Sequence, residues 1–280
     1  MILVTFCAFS WPLRFMERFV KRGVFDARPL RLGCTVPMRT FLLALLLAAL
    51  HLHAQPNPEP PAEPGAYLAE LSTMLTWHWP TNRTVNIVCH GHSVPAGYFK
   101  TPLVDTFNAY PHLLHRGLKE RFPCAVINVI VTAIGGEDSE SGAKRFERYV
   151  LPLRPQVVTI DYSLNDRGIG LARAETAWRA MLTNAAAHGI KVILLTPTPD
   201  LAARLDDPND PLAQHADQVR RLAREYHVGL VDSLAAFRRA VAAGRPLTAL
   251  MSQPNHPNRQ GHELVAAELL RWFPTPSDKP

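Results

Sequence analysis

The sequence predicts an α/β domain in which helices cover both faces of a parallel β-sheet. Short apolar runs rich in β-branched residues alternate with helical patterns between residues 83 and 273. A helix between two consecutive strands allows a right-handed crossover, which joins parallel neighbours in one sheet. In such sheets, ligands bind beyond the carboxyl ends of the strands. The loops that follow the strands are therefore the first place to look for a functional site.

Five segments are predicted to be strands, and six to be helices. The strands are 85–89, 125–131, 157–161, 191–196 and 229–231. The helices are 103–121, 138–149, 171–188, 211–227, 233–243 and 259–272. Residues 55–65 are rich in proline and are predicted to be a linker. The domain then spans 66–273, with a short polar tail over 274–280.

The positive charge of the chain is concentrated near its N-terminus. The net charge is +6, but residues 1–37 hold six basic and two acidic side chains, and 38–54 hold only Arg39. From residue 55 onward, the chain has 23 basic and 22 acidic side chains. A nucleic-acid-binding domain needs a basic surface to neutralise phosphates. The sequence therefore predicts no nucleic-acid partner.

Residues 38–54 have the order of a secretory signal peptide. Arg39 gives the positive start, 41–50 is the apolar core, and Ala54 is the expected cleavage residue. The core is short for a bilayer span, so no stable membrane insertion is expected after cleavage. Residues 1–37 are then expected to be an upstream extension, as a mis-called start codon would produce. We expect a secreted or periplasmic protein; the alternative is an uncleaved anchor with a basic cytoplasmic tail.

Two cysteines, Cys89 and Cys124, lie within the predicted domain. One ends a strand and the other precedes a strand, which places them too far apart for a disulfide between parallel neighbours. Two buried free thiols are therefore expected. Neither cysteine has the paired spacing of a zinc site.

Ser93 and His256 are the candidate catalytic pair. Ser93 follows the first predicted strand in Gly91-His92-Ser93, where a tight turn exposes the side chain at the sheet edge. His256 lies on a late loop, before Pro257 and the helix-capping Asn258. A serine hydroxyl next to a histidine base is the arrangement of a nucleophilic hydrolase. Taken alone, a strand-end serine more often caps a helix.

Two further strand ends carry groups that can stabilise an oxyanion. Gly135 and Gly136 follow the second predicted strand, where a backbone N–H can point at a ligand. Asn165 follows the third, and its amide donates hydrogen bonds without titrating. Turn and capping roles, such as Asp138 or Ser139 at a helix start, are the ordinary alternatives.

Four strand-end motifs in the order Ser, Gly, Asn, His resemble the SGNH hydrolase superfamily, or GDSL esterases, over roughly residues 83–273. The resemblance implies a three-layer α/β/α sandwich with a central parallel five-stranded sheet, flavodoxin-like. It also implies that Ser93 is the nucleophile and His256 the base. The oxyanion hole would combine the Ser93 backbone N–H with Gly136 and Asn165. The implied reaction is ester hydrolysis through an acyl-enzyme, with no cofactor and no metal.

Three positions depart from the pattern of that family. His92 replaces an aspartate before the serine, Ser163 replaces a glycine before the asparagine, and Gln253 replaces the triad aspartate. Gln253 or Asn255 is expected to orient the His256 ring through a side-chain carbonyl oxygen. An unassisted serine–histidine dyad, and a carboxylate from elsewhere in the fold, remain open. Asp166 and Glu137 are the carboxylates closest in sequence to the motifs.

The predicted function is an exported esterase that removes a small acyl group, most simply acetyl, from a carbohydrate or another polar ester. A lipase or thioesterase of the same fold is one alternative. A catalytically impaired carbohydrate-binding homologue is another, because Gln253 removes the triad carboxylate. His90 and His92 form a His-x-His pair without evident partner ligands, so a metal site is the less favoured interpretation. Arg167 could face an anionic substrate or only solvent.

Overall fold

Five parallel strands form the central sheet of the computed structural model, which describes residues 62–275. They are β1 (Thr84–Gly91), β2 (Val126–Val131), β3 (Val157–Asp161), β4 (Lys191–Leu195) and β5 (Gly229–Val231). Their order across the sheet is β2-β1-β3-β4-β5, and every pairing is parallel. The predicted flavodoxin-like α/β/α sandwich is confirmed.

Nine helices accompany the sheet in the described part of the chain. They are α1 (Pro64–Tyr67), α2 (Ala69–Leu75), α3 (Ser93–Ala96), α4 (Tyr110–Arg121), α5 (Ser139–Tyr149), α6 (Leu171–Ala187), α7 (Pro211–Glu225), α8 (Ser233–Ala242) and α9 (Arg259–Leu270). Four short 3₁₀ turns supplement them, at 106–108, 151–153, 166–168 and 247–250. A small antiparallel hairpin of β6 (Met251–Gln253) and β7 (His256–Pro257) precedes α9.

The alternation of side chains along the strands divides the core between the two faces of the sheet. Ile87 and Cys89 of β1 pack with α4, α8 and α9, whereas Val88 packs with α5, α6 and α7. β4 divides in the same way, with Ile193 on the first face and Leu194 on the second. A strand buried on both sides is therefore apolar at successive positions, as the sequence indicated.

Three expectations about local structure were wrong. The helix expected from residue 103 begins at Tyr110, because the preceding chain closes a loop through a bridge between Tyr98 and Val104 and then a 3₁₀ turn. α1 begins at Pro64, within the predicted linker, where proline is tolerated in a first helical turn. Cys124 is exposed, since it lies in the turn before β2, whereas Cys89 is buried; both are free thiols.

The predicted upstream extension, the signal peptide and most of the linker lie outside the described residues. Within 62–275, no helix combines the length and apolar character needed to cross a bilayer.

The strand order places a crevice at the carboxyl ends of β1 and β3. The chain leaves β1 toward β2 on one side, and it returns to β3 on the other side of β1. The loops after β1 and β3 therefore diverge, and this divergence opens the position where α/β sheets of this order bind ligands. Ser93 follows β1 and Asn165 follows β3.

Candidate active site

Ser93 is the first residue of α3, directly beyond β1, and it is buried. His92 caps this helix by accepting a hydrogen bond from the Val94 N–H at its own Nδ1, 3.2 Å away. The turn requires glycine at position 91, because a Cβ there would lie 2.5 Å from the carbonyl oxygen of Asp161. The backbone of β3 thus approaches the turn that presents the serine.

His256 reaches Ser93 from the other end of the chain. It is the first residue of β7, and the antiparallel pairing of β6 with β7 holds it at the mouth of the crevice. Its Nε2 atom lies 2.9 Å from Ser93 Oγ, and the ring is buried. This distance allows direct proton transfer from the hydroxyl to the imidazole. The structure therefore brings together the two residues that the sequence paired.

The Nδ1 atom of His256 faces the main-chain carbonyl oxygen of Phe99 at 2.9 Å. A carbonyl oxygen can only accept, so this hydrogen bond requires the proton on Nδ1. The lone pair of Nε2 is then directed at Ser93 Oγ, as a general base requires. Phe99 belongs to the loop between α3 and α4, and its backbone occupies the role usually given to a carboxylate.

Gln253 also contacts His256, but not in the expected way. Its Nε2 atom lies 2.7 Å from the histidine Nδ1, and its Oε1 accepts the Thr101 N–H at 3.0 Å. Asn255 accepts from the same amide nitrogen at 3.1 Å and does not contact the ring. An amide nitrogen is a donor, so it competes with Phe99 for Nδ1 and favours the opposite tautomer. The carbonyl oxygen that faces His256 Nδ1 therefore belongs to the main chain of Phe99, and not to the side chain of Gln253 or Asn255.

Three donors that can face an oxyanion lie at this edge of the sheet. Gly136 has a φ of 81°, and its N–H has no acceptor among residues 62–275. Ser93 stands at a helix start, where a backbone N–H has no intrahelical partner. Asn165 donates one amide hydrogen to the Glu137 carbonyl at 2.8 Å, which leaves the second hydrogen available.

The loop after β2 connects these donors to one another. The Ile134 N–H donates to the Gly91 carbonyl at 3.0 Å, which fixes the loop against the Ser93 turn. The bond from Asn165 to Glu137 fixes the same loop against the end of β3. Gly136 lies between these two anchors. A pre-set group of donors stabilises developing negative charge without further reorganisation.

Asp166 and Glu137, the carboxylates closest in sequence to the motifs, form their contacts away from His256. Asp166 accepts from the Ser139 N–H and from the indole N–H of Trp178, both at 2.7 Å. Glu137 forms an ion pair with Arg145 and contacts the Tyr162 hydroxyl. Neither contacts His256. Asp138 caps α5 through the Ser141 N–H, and Asn258 caps α9 through the Gly261 N–H, as expected.

The His-x-His pair does not converge on a common point. His90 bonds to Thr132 through Nδ1 and to the Gly142 carbonyl through Nε2. His92 faces the Val94 N–H on one side and the Asp161 carboxylate on the other. Within 62–275, no three His, Cys, Asp or Glu side chains form a metal-binding group.

A cavity of about 560 Å³ borders Asn165. Its lining residues include Arg167, Asp210, Ala202 and Ala203. Arg167 is not merely solvated: it forms an ion pair with Asp200 at 2.9 Å and donates to the Leu164 carbonyl. Asp200 is 33 residues away in sequence, so no local pattern pointed to this pairing.

Burial lowers the pKa of His256 below the ordinary imidazole value. The Phe99 carbonyl opposes this shift. A general base works only when unprotonated, so a lower pKa extends activity toward acid. As the pH is lowered, we expect kcat/KM for p-nitrophenyl acetate to reach half of its maximum at a pH below about 6.5. A midpoint at or above that pH would contradict the claim that burial lowers the pKa of His256.

Comparison with known proteins places the chain in a family. Residues 89–264 match the GDSL-like Lipase/Acylhydrolase family, and these residues cover more than half of the chain. A comparison with curated proteins gives no significant match.

Solved structures with this fold include carbohydrate esterases. A two-domain esterase active on acetylated mannans has a TM-score of 0.62 at 21% identity, covering 77% of this chain and 54% of that one. The chain thus spans about half of that esterase. An acetylxylan esterase from Geobacillus stearothermophilus has a TM-score of 0.60 at 22% identity, covering 68% and 94%. Forms of that esterase with one serine or one histidine changed to alanine are described as catalytic mutants.

The fold, the strand-end motifs and the match over residues 89–264 agree with one another. The chain carries a serine and a histidine within hydrogen-bond distance at the expected edge of the sheet. The chain belongs to the GDSL-like lipase/acylhydrolase family.

Proposed function

We propose that this protein removes acetyl groups from a carbohydrate ester through an acyl-enzyme formed on Ser93. The observation that carries this proposal is the 2.9 Å contact between Ser93 Oγ and His256 Nε2. The hydrogen bond from Nδ1 to Phe99 supports it, because it selects the tautomer in which Nε2 is basic.

In the first half of the reaction, Ser93 Oγ attacks the ester carbonyl carbon while His256 Nε2 takes the hydroxyl proton. The carbonyl oxygen becomes an oxyanion, which accepts from the backbone N–H groups of Ser93 and Gly136 and from the Asn165 amide. The intermediate then collapses, the bond to the alcohol oxygen breaks, and His256 returns its proton to that oxygen. The alcohol leaves, and the acyl group stays on Ser93.

Water completes the cycle by the same steps. His256 takes a proton from a water molecule, and the resulting hydroxide attacks the acyl carbon. A second oxyanion forms on the same donors. Its collapse releases the carboxylic acid, which loses its proton to the solvent at neutral pH, and the proton on His256 returns to Ser93 Oγ. Ser93 and His256 are thereby regenerated, and the net reaction converts an ester and water into an alcohol and an acid.

The carbohydrate assignment rests on the cavity beside Asn165 and on the structural neighbours. Its wall includes Arg167, whose guanidinium can donate hydrogen bonds to a polyhydroxylic alcohol. The neighbouring esterases act on acetylated mannans and acetylxylan. An esterase that acts on a polysaccharide outside the cell has to be exported, which agrees with the signal-peptide pattern of residues 38–54.

A lipase-like activity on longer acyl chains is a second candidate. Leu103 and Ile134 are exposed, and each lies next to a loop that contributes to the site. Exposed apolar side chains beside a cleft would favour an aliphatic chain. Rates on p-nitrophenyl esters of increasing length separate the two activities. We expect the highest kcat/KM at acetate, and an optimum at eight carbons or more would favour the lipase.

Replacing Arg167 by alanine tests the carbohydrate assignment. We expect KM for acetylated xylo-oligosaccharides to rise about tenfold, since hydrogen bonds from a charged donor to the sugar are lost. KM for p-nitrophenyl acetate should stay within about twofold, because that alcohol is small and apolar. Arg173→Ala is the matched control, because Arg173 lies on α6, paired with Glu140 at the surface. Equal KM changes on both substrates would contradict a sugar site at Arg167.

Retention of all four motif residues argues against a purely carbohydrate-binding homologue. Such a protein would bind acetylated oligosaccharides without releasing acetate, and it would not react with a fluorophosphonate. Release of acetate by the wild-type protein rules it out.

A further inference from the structure

Ser93 has a second imidazole close to its hydroxyl. His92 Nδ1 lies 3.4 Å from Ser93 Oγ, and the opposite nitrogen, Nε2, lies 3.3 Å from Asp161 Oδ1. Both side chains are buried, His92 completely and Asp161 to 98%. Asp161 ends β3, and the Gly91 turn holds its backbone against Ser93. A carboxylate, an imidazole and the nucleophile thus follow one another in space.

The protonation of His92 follows from its contacts. Because Nδ1 accepts the Val94 N–H, it carries no proton, and the proton resides on Nε2, facing Asp161. The two atoms are not aligned as a hydrogen bond, yet neither has another hydrogen-bond partner within residues 62–275. The contact is therefore a pairing of two buried groups that have only each other at these atoms.

The other oxygen of Asp161 accepts a hydrogen bond from the Tyr110 hydroxyl at 3.3 Å. Burial raises the pKa of Tyr110 and that of the neighbouring Cys89 thiol, so both groups are neutral. Tyr110 and His92 thus contact the two oxygens of Asp161, and His92 in turn contacts Ser93.

We propose that Asp161 and His92 are positioning residues that hold the Ser93 hydroxyl for attack. The inference rests on the proposed Ser93 mechanism. Asp161 contacts the His92 ring, and the His92 ring contacts Ser93 Oγ, so the hydroxyl is held in place before the substrate carbonyl arrives.

Asp161→Asn tests this proposal, because it keeps the shape of the side chain and replaces the carboxylate that faces His92 Nε2. We expect kcat for p-nitrophenyl acetate to fall about tenfold with KM within about twofold, since a misplaced nucleophile slows the chemical step more than it weakens binding. Tyr110→Phe is the matched control: it removes a contact to Asp161 and keeps the contact between Asp161 and His92, so kcat should stay within about twofold.

A second variant guards against misfolding of the first. His92→Asn keeps an acceptor for the Val94 N–H and breaks the link between Asp161 and Ser93, and it should lower kcat in the same way. Failure of the wild-type protein to hydrolyse any ester would overturn the proposed function itself. An active wild type together with an unchanged kcat in Asp161→Asn would overturn only the role of Asp161.

Discussion

Replacing Ser93 by alanine is expected to lower kcat/KM for p-nitrophenyl acetate by about 10⁴ to 10⁶-fold, with the fold intact. Alanine removes the hydroxyl oxygen that lies 2.9 Å from His256 Nε2 and leaves the oxyanion donors in place. The residual rate would come from those donors and from binding. Initial rates with a purified variant measure the loss, and thermal unfolding checks the fold.

Ser163→Ala is the matched control for this variant. Ser163 is also a buried serine beyond a strand end, and its hydroxyl has no partner within the described residues. Its loss should change the rate less than about threefold. A Ser93→Ala protein within tenfold of the wild-type rate would exclude Ser93 as the nucleophile.

Replacing Gln253 by glutamate is expected to improve the enzyme. The wild-type amide offers a donor to Nδ1, although Nδ1 must carry a proton for the reaction. A glutamate in the same position places one oxygen on the Nδ1–H and keeps the other on the Thr101 N–H, so both donors are satisfied. The added charge also stabilises the imidazolium that forms in the transition state. We expect kcat at pH 8 to rise about tenfold.

Gln253→Glu is also expected to shift the pH dependence of activity toward higher pH. A carboxylate beside the ring raises the pKa of His256, by about one to three units for a close pair. The acid limb of kcat/KM therefore moves upward, and the variant becomes slower than the wild type in acid and faster in base. Gln260→Glu adds the same charge on the exposed side of α9 and should leave the profile unchanged. Superimposable profiles for Gln253→Glu and wild type would contradict the assigned tautomer.

The parts of the fold that the sequence predicts well are those set by local pattern. All five strands of the sheet were predicted to within a few residues, because β-branched runs between helical segments have few alternative folds. The loop from Gly97 to Asn108 was less predictable. Its shape depends on the pairing of Tyr98 with Val104, and helical patterning suggested an earlier start for α4.

The orientation of His256 shows why part of the site could not be predicted. Its Nδ1 partner is the backbone carbonyl of Phe99, and every residue has a carbonyl, so no side-chain type marks the position. Asp161 is similar, since nothing in the sequence around β3 signals its contact with His92. The order of Ser93, Gly136, Asn165 and His256 was informative because parallel strands bring their carboxyl ends together.

The most direct test of the account is the site and rate of fluorophosphonate labelling, read by peptide mass spectrometry. The probe reacts with a serine only when a base activates its hydroxyl. We predict one adduct, on the peptide that contains Ser93, with a rate that falls at least about 10³-fold in His256→Ala. An adduct on another residue, or labelling of Ser93 at an unchanged rate without His256, would contradict the Ser93–His256 mechanism.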